Sequence, residues 1–93
     1  MVVGVLQMRL ALREAMSLKD KRRIVKGLRD RIRHGFNVSV SEVDALDRRQ
    51  AAVIGVAIVT NDGGFADKVL ASVVDLVRRA AGAELIEYET ELL

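Results

Sequence analysis

The run "AAVIGVAIVTN", residues 51–61, constrains the chain most. Its first nine residues are apolar without interruption, so no face is left for water, and such a segment belongs in the middle of a sheet. It falls well short of the ~20 residues that span a bilayer.

The other segments show one wet side. In "VVGVLQMRLAL", Val2 to Leu12, the residues Leu6, Met8, Leu10 and Leu12 share one face of a strand, and Val5, Gln7, Arg9 and Ala11 share the other. From Ser17 the period changes to that of a helix. Leu18, Val25, Leu28 and Ile32, with Ile24 beside them, form an apolar stripe, Ser17 is the N-cap with Asp20 three residues on, and Gly35 is the expected left-handed stop.

"FNVSVSEV" alternates again, with Phe36, Val38 and Val40 on one face and Asn37, Ser39 and Ser41 on the other. "SEVDALDRRQ" is polar and reads as a flexible hairpin tip leading into the central run. Asp62 caps a second helix through about Ala81, with Val69, Leu70, Val73, Val74 and Val77 buried and Gly82 closing it. "ELIEYETEL" then alternates Ile86, Tyr88 and Thr90 against Glu87, Glu89 and Glu91.

The order β-α-β-β-α-β, with right-handed crossovers, gives an α+β, ferredoxin-like sandwich: a four-stranded antiparallel sheet in order 4-1-3-2 with both helices on one face. Residues 1–93 suffice for one such domain and one core. Because Phe36, Phe65 and Tyr88 are the only aromatics, that core is built of aliphatic side chains packed densely. The absence of cysteine removes disulfides, thiolate metal sites and a cysteine nucleophile, and fits a reducing cytoplasm. The expected location is cytoplasmic, with no membrane partner.

The sheet face away from the helices would carry Val3, Val5, Gln7 and Arg9 from the first strand and Val53, Gly55, Ala57 and Val59 from the third. Stacking of RNA bases on such a sheet needs aromatic rings, and these positions have none. A patch of small apolar residues seeks cover instead. A second copy, meeting through Val3, Val5, Val53, Gly55, Ala57 and Val59 or along a strand edge, is the expected one. Glu87, Glu89 and Glu91 on the last strand would face Arg9 and Arg13 as cross-strand ion pairs and guard a sheet edge.

Charge is distributed unevenly. Residues 1–50 hold 12 basic and 6 acidic side chains, whereas 51–93 hold 3 and 7. The first helix accounts for the excess through Lys19, Lys21, Arg22, Arg23, Lys26, Arg29, Arg31 and Arg33 against Asp20 and Asp30. Lys19, Arg22, Lys26, Arg29 and Arg33 form one row about 21 Å long, where each like pair costs roughly 0.2–0.5 kcal/mol. A solvated surface accounts for such a row. The cluster Lys19 to Arg23 favours an anionic partner, because the positive end of the helix dipole opposes it. Candidate phosphate-binding residues are therefore Lys19, Lys21, Arg22, Arg23, Lys26, Arg29 and Arg33, with Arg48 and Arg49 as a possible extension.

Catalytic and metal chemistry find little footing. His34 is the only histidine and has no ligand-type neighbours at metal spacing. Ser17, Ser39, Ser41 and Ser72 lack a base, and Glu42, Asp44 and Asp47 look like solubilising charge, with a weak magnesium contact left open. "TNDGG" lacks the Lys and hydroxyl of a P-loop, and a turn capped by Asp62 explains it. No cofactor is expected.

Taken together, "SLKDKRRIVKGLRDRI", "FNVSVSEVD" and "IGVAIVTND" resemble the YlxP-like family of small bacterial proteins, over almost the whole chain. Its basic helix start corresponds to Ser17, Leu18, Lys19, Lys21 and Arg22, and its "NVSVxEVD" to Asn37–Asp44; Asp47 and Gln50 also match. Ala45 and Arg49 stand where relatives often have His and Trp. The resemblance implies a ferredoxin-like fold and, from neighbouring genes for translation and transcription-elongation factors and a ribosome-binding factor, a role near RNA or the ribosome, without an established biochemical activity. The alternative is a homodimeric structural or regulatory module that binds a protein or a small ligand.

Overall fold

A computed structural model describes residues 1–93. The elements are β1 (Val2–Ala11), α1 (Leu18–Gly35), β2 (Ser39–Asp44), β3 (Ala51–Thr60), α2 (Gly63–Arg78) and β4 (Glu84–Leu92). The strands form one antiparallel sheet in the order β2-β3-β1-β4, the expected 4-1-3-2 arrangement seen from the other edge.

β1 and β3 pair along their full lengths, from Val2 opposite Thr60 to Ala11 opposite Ala51. This register places Leu6, Met8 and Leu10 beside Val56, Ile54 and Ala52, all buried on the side that the helices cover. α2 adds Ala66, Leu70, Val73, Val74 and Val77, and α1 adds Val25, Leu28 and Ile32, to a single apolar cluster. Gly4 lets α2 approach the sheet. A Cβ there would meet Ile58, Ala66 and Leu70 at 3.1–3.2 Å, tighter than ordinary packing.

Both helix starts form as their sequences indicate. Ser17 Oγ accepts the Asp20 amide at 3.1 Å while Asp20 reaches back to the Met16 amide at 3.0 Å. Asp62 Oδ1 accepts from the amides of Gly64 and Phe65.

Three local expectations need correction. α1 ends on an extended Phe36, whose amide donates to the Ile32 carbonyl, while Gly35 keeps a negative φ; the left-handed glycine is Gly82, at φ 84°. Phe36 and Val38 pack on the core, but pairing of β2 begins only at Ser39. A bulge between Arg9 and Leu10 places Leu85 opposite Leu10 and leaves Ile86, expected on the inner face, 53% exposed.

Of the segment expected as a flexible tip, residues 41–50, the first four lie in β2 and residues 45–50 are tied to the body. Gln50 Nε2 donates to the carbonyls of Arg13 and Ala15, the Gln50 carbonyl accepts the Leu12 amide, and Lys21 reaches the carbonyls of Ala45 and Leu46. No helix is long and apolar enough to cross a membrane.

Candidate functional site

Two surfaces stand out, one on each layer. The first is the flank of α1 beside the edge strand β2. A 3.6-residue period that turns Val25, Leu28 and Ile32 to the core necessarily brings Lys19, Arg22, Lys26, Arg29 and Arg33 to one side. Lys19, Arg22, Lys26 and Arg33 are exposed, and Arg29 is half-buried with its Nε enclosed and without an acceptor. Arg33 also reaches the Val40 carbonyl at 3.4 Å, which ties the row to β2.

Two carboxylates share this helix surface. Lys26 Nζ lies 3.0 Å from Asp30, and Arg23 lies 2.9 Å from Asp20. The hydrogen bond from Lys26 holds the Asp30 carboxyl below its ordinary value of 3.8, with the positive charges of Lys26, Arg33 and Arg29 assisting. Lys19, Arg22, Arg29 and Arg31 form no ion pair with any carboxylate.

Lys21 does not belong with this group. It is 1% exposed, and its Nζ lies between α1 and the β2–β3 hairpin, 2.8 Å from Glu42 Oε2, so it meets no solvent and no ligand. The Glu42 oxygen lies off the line of a hydrogen bond, and the contact is Coulombic, with the Ala45 and Leu46 carbonyls taking the aligned donors. Residue type alone could not separate Lys21 from its exposed neighbours. The signal was its place three to four residues from Leu18, Ile24 and Val25 on the apolar stripe. Glu42, grouped in sequence with Asp44 and Asp47, is used in this ion pair.

The second surface is the open face of the sheet. The register sets two rows across all four strands: Glu91, Val5, Ala57 and Ser39 in one, and Glu89, Gln7, Gly55 and Ser41 in the next. Val43 leans over Gly55, and together these residues shape a trough of about 730 Å³. Val3, Val5, Val53, Gly55 and Ala57 are partly covered by their neighbours, and Val59 is 66% exposed. One end is bounded by Arg9, whose guanidinium pairs with Glu87 at 2.8 Å; Arg13 pairs with Glu84, not with the open-face glutamates.

His34, the only imidazole, lies 2.9 Å from the Asp30 carbonyl of its own helix. Arg49 extends from the hairpin to the Met16 carbonyl at 3.4 Å, close to the start of α1.

A four-stranded antiparallel sheet with two helices on one face, a basic helix flank and an open sheet define a ferredoxin-like α+β domain. Solved structures agree on the fold. The de novo designed protein Foldit4 superimposes with a TM-score of 0.58 at 17% identity, covering 100% of this chain and 97% of that one. The de novo designed protein LFR1 1 with ferredoxin fold gives 0.52 at 13% identity, covering 99% and 84%. The chain belongs to the family described as "Protein of unknown function (DUF503)", whose model matches residues 3–90. It is 30% identical over 76 residues to the "Uncharacterized protein YlxP" of Bacillus subtilis (strain 168), spanning 82% of this chain and 83% of that protein.

Proposed function

We propose that the protein is a non-enzymatic binder of RNA, free or in ribosomal subunits, and that it holds phosphates along the exposed flank of α1. The observation that supports this reading is the row Lys19, Arg22, Lys26, Arg29 and Arg33, exposed except for the half-buried Arg29, with Arg23 near its start and two carboxylates beside it, Asp20 on Arg23 and Asp30 on Lys26. Like charges held in register along a rigid helix repel one another, and a polyanion relieves that repulsion while releasing its own counterions. A helix flank that presents guanidinium and ammonium groups fixes position on a phosphate backbone and leaves sequence unread. RNA is chosen over DNA by analogy with the fold class.

Retention of total RNA and of purified ribosomal subunits, measured at two salt concentrations, tests this. Five stripe charges acting on single-stranded RNA give a slope of log affinity on log salt between about −3 and −4. Arg22→Glu with Lys26→Glu is the informative variant, because both side chains are exposed, whereas Arg29 is half-buried and its reversal would disturb packing. Binding should fall at least about tenfold in the double variant with no loss of helicity. Absence of binding at low salt, or equal binding by the variant, would refute the reading.

A further inference from the structure

The open face combines features that a second copy of this chain would satisfy poorly. Its floor is small and apolar, with Val5 and Ala57 at the centre and Val43 lying over Gly55 on the β2 half. On the β4 side stand Glu89 and Glu91, both exposed and neither in an ion pair. Arg9 is the one cation in the rows of this face, and Glu87 already holds it at 2.8 Å.

Two copies meeting face to face by a two-fold axis with their strands aligned bring β4 of one over either β4 or β2 of the other. The first arrangement sets glutamate on glutamate. The second sets Glu89 and Glu91 over Ser39 and Ser41, which carry no charge to compensate buried carboxylates. The α1 flank of another copy would bring cations but no apolar face to the trough, because Val25, Leu28 and Ile32 are already buried in its own core.

The shape indicates a different occupant. Strands about 4.8 Å apart give the face a width of about 14 Å from β4 to β2, enough for one α-helix of about 10–12 Å diameter to lie on Val5, Ala57 and the Val43 side chain that covers Gly55. We propose that the trough seats an amphipathic helix of a partner protein, with its apolar face on Val5, Ala57 and Val43 and a flank of Lys or Arg against Glu89 and Glu91. Gly55 lets Val43 lie low against β3. A Cβ there would lie 2.9 Å from Val43 Cγ1 and would push that side chain up into the space the helix occupies. This surface lies on the opposite layer from α1, so RNA on the helices and a helical segment on the sheet do not compete.

The test uses the full chain and a synthetic helical peptide of about 18 residues with Leu on one face and Lys along one flank, beside an otherwise identical peptide carrying Glu in that flank. Amide and methyl NMR shifts should move at Val5, Val43 and Ala57 with the Lys peptide and stay fixed with the Glu peptide. Glu89→Gln with Glu91→Gln should weaken binding about tenfold, because two partly exposed ion pairs are lost. Ala57→Leu, which fills the floor, should abolish it, and Arg22→Glu with Lys26→Glu should leave it unchanged. No shifts in the trough with the Lys peptide, equal binding of both peptides, or sedimentation as a dimer with Val5 and Ala57 protected from solvent would overturn the proposal.

Discussion

Replacing Lys21 by Met tests the division of the basic residues most sharply. Lys21 is 1% exposed, and the Glu42 side chain that it faces at 2.8 Å is 13% exposed. Removing the ammonium strands a largely buried carboxylate and leaves the Ala45 and Leu46 carbonyls without their donor. Breaking a buried pair from one side costs about 3–5 kcal/mol. The residual exposure of Glu42 places this case near the lower end, at about 3 kcal/mol. For a chain of this length that amounts to a fall in Tm of about 12–24 °C.

The pair itself contributes much less than its loss costs. Lys21→Met with Glu42→Leu removes both charges and should recover most of the loss, keeping about 1 kcal/mol for the unpaired carbonyls. Differential scanning calorimetry on the wild type, the two single variants and the double variant supplies the cycle. Hydrogen exchange should show the loosening concentrated in residues 45–50, where Ala45 holds a left-handed φ of 59° and its carbonyl depends on Lys21. A single-variant cost under about 1 kcal/mol, or a loss of RNA affinity at unchanged Tm, would refute the structural role.

Two further outcomes follow from the same geometry. Gly4→Ala should cost about 1–3 kcal/mol by denaturant unfolding, because the new methyl would meet Ile58, Ala66 and Leu70 inside the closed β1–α2 contact. Asp30 should titrate by carboxyl NMR below 3.8 and return toward that value in Lys26→Ala; its lowered folded pKa makes its stabilising contribution complete above 3.8 and lost as pH falls through the lower, folded midpoint.

Much of the fold was legible because its signals are local. The period of two in Val2–Leu12 reappears as the buried set Leu6, Met8 and Leu10, and the unbroken apolar run of residues 51–59 forms the central strand β3, paired on both sides. Ser17 and Asp62 cap helices because the chemistry of a cap lies within three residues of chain. The stop at Gly35 misled for the opposite reason. Packing of Phe36 on the core pulls the chain into an extended conformation, and a tertiary contact overrides what glycine permits. Ile86 and Leu85 exchanged roles because a bulge shifts the register by one residue, and in a strand one residue turns every side chain to the other face.

The candidate sites divide in the same way. That Lys19, Arg22, Lys26, Arg29 and Arg33 share a side of α1 is set by helical geometry, which a sequence carries in its spacing. The fate of Lys21 depended on Glu42, 21 positions away, and on how the hairpin folds back across the helix, neither of which spacing encodes. The trough likewise needs four strands in register, since Glu89, Gln7, Gly55 and Ser41 come from β4, β1, β3 and β2. The sequence alone therefore determined the elements, their order and the polarity of each face, all properties of neighbours along the chain. Only the tertiary structure decided which charges are paired, buried or free, because Coulomb energy and desolvation depend on distances between segments that the chain brings together from afar.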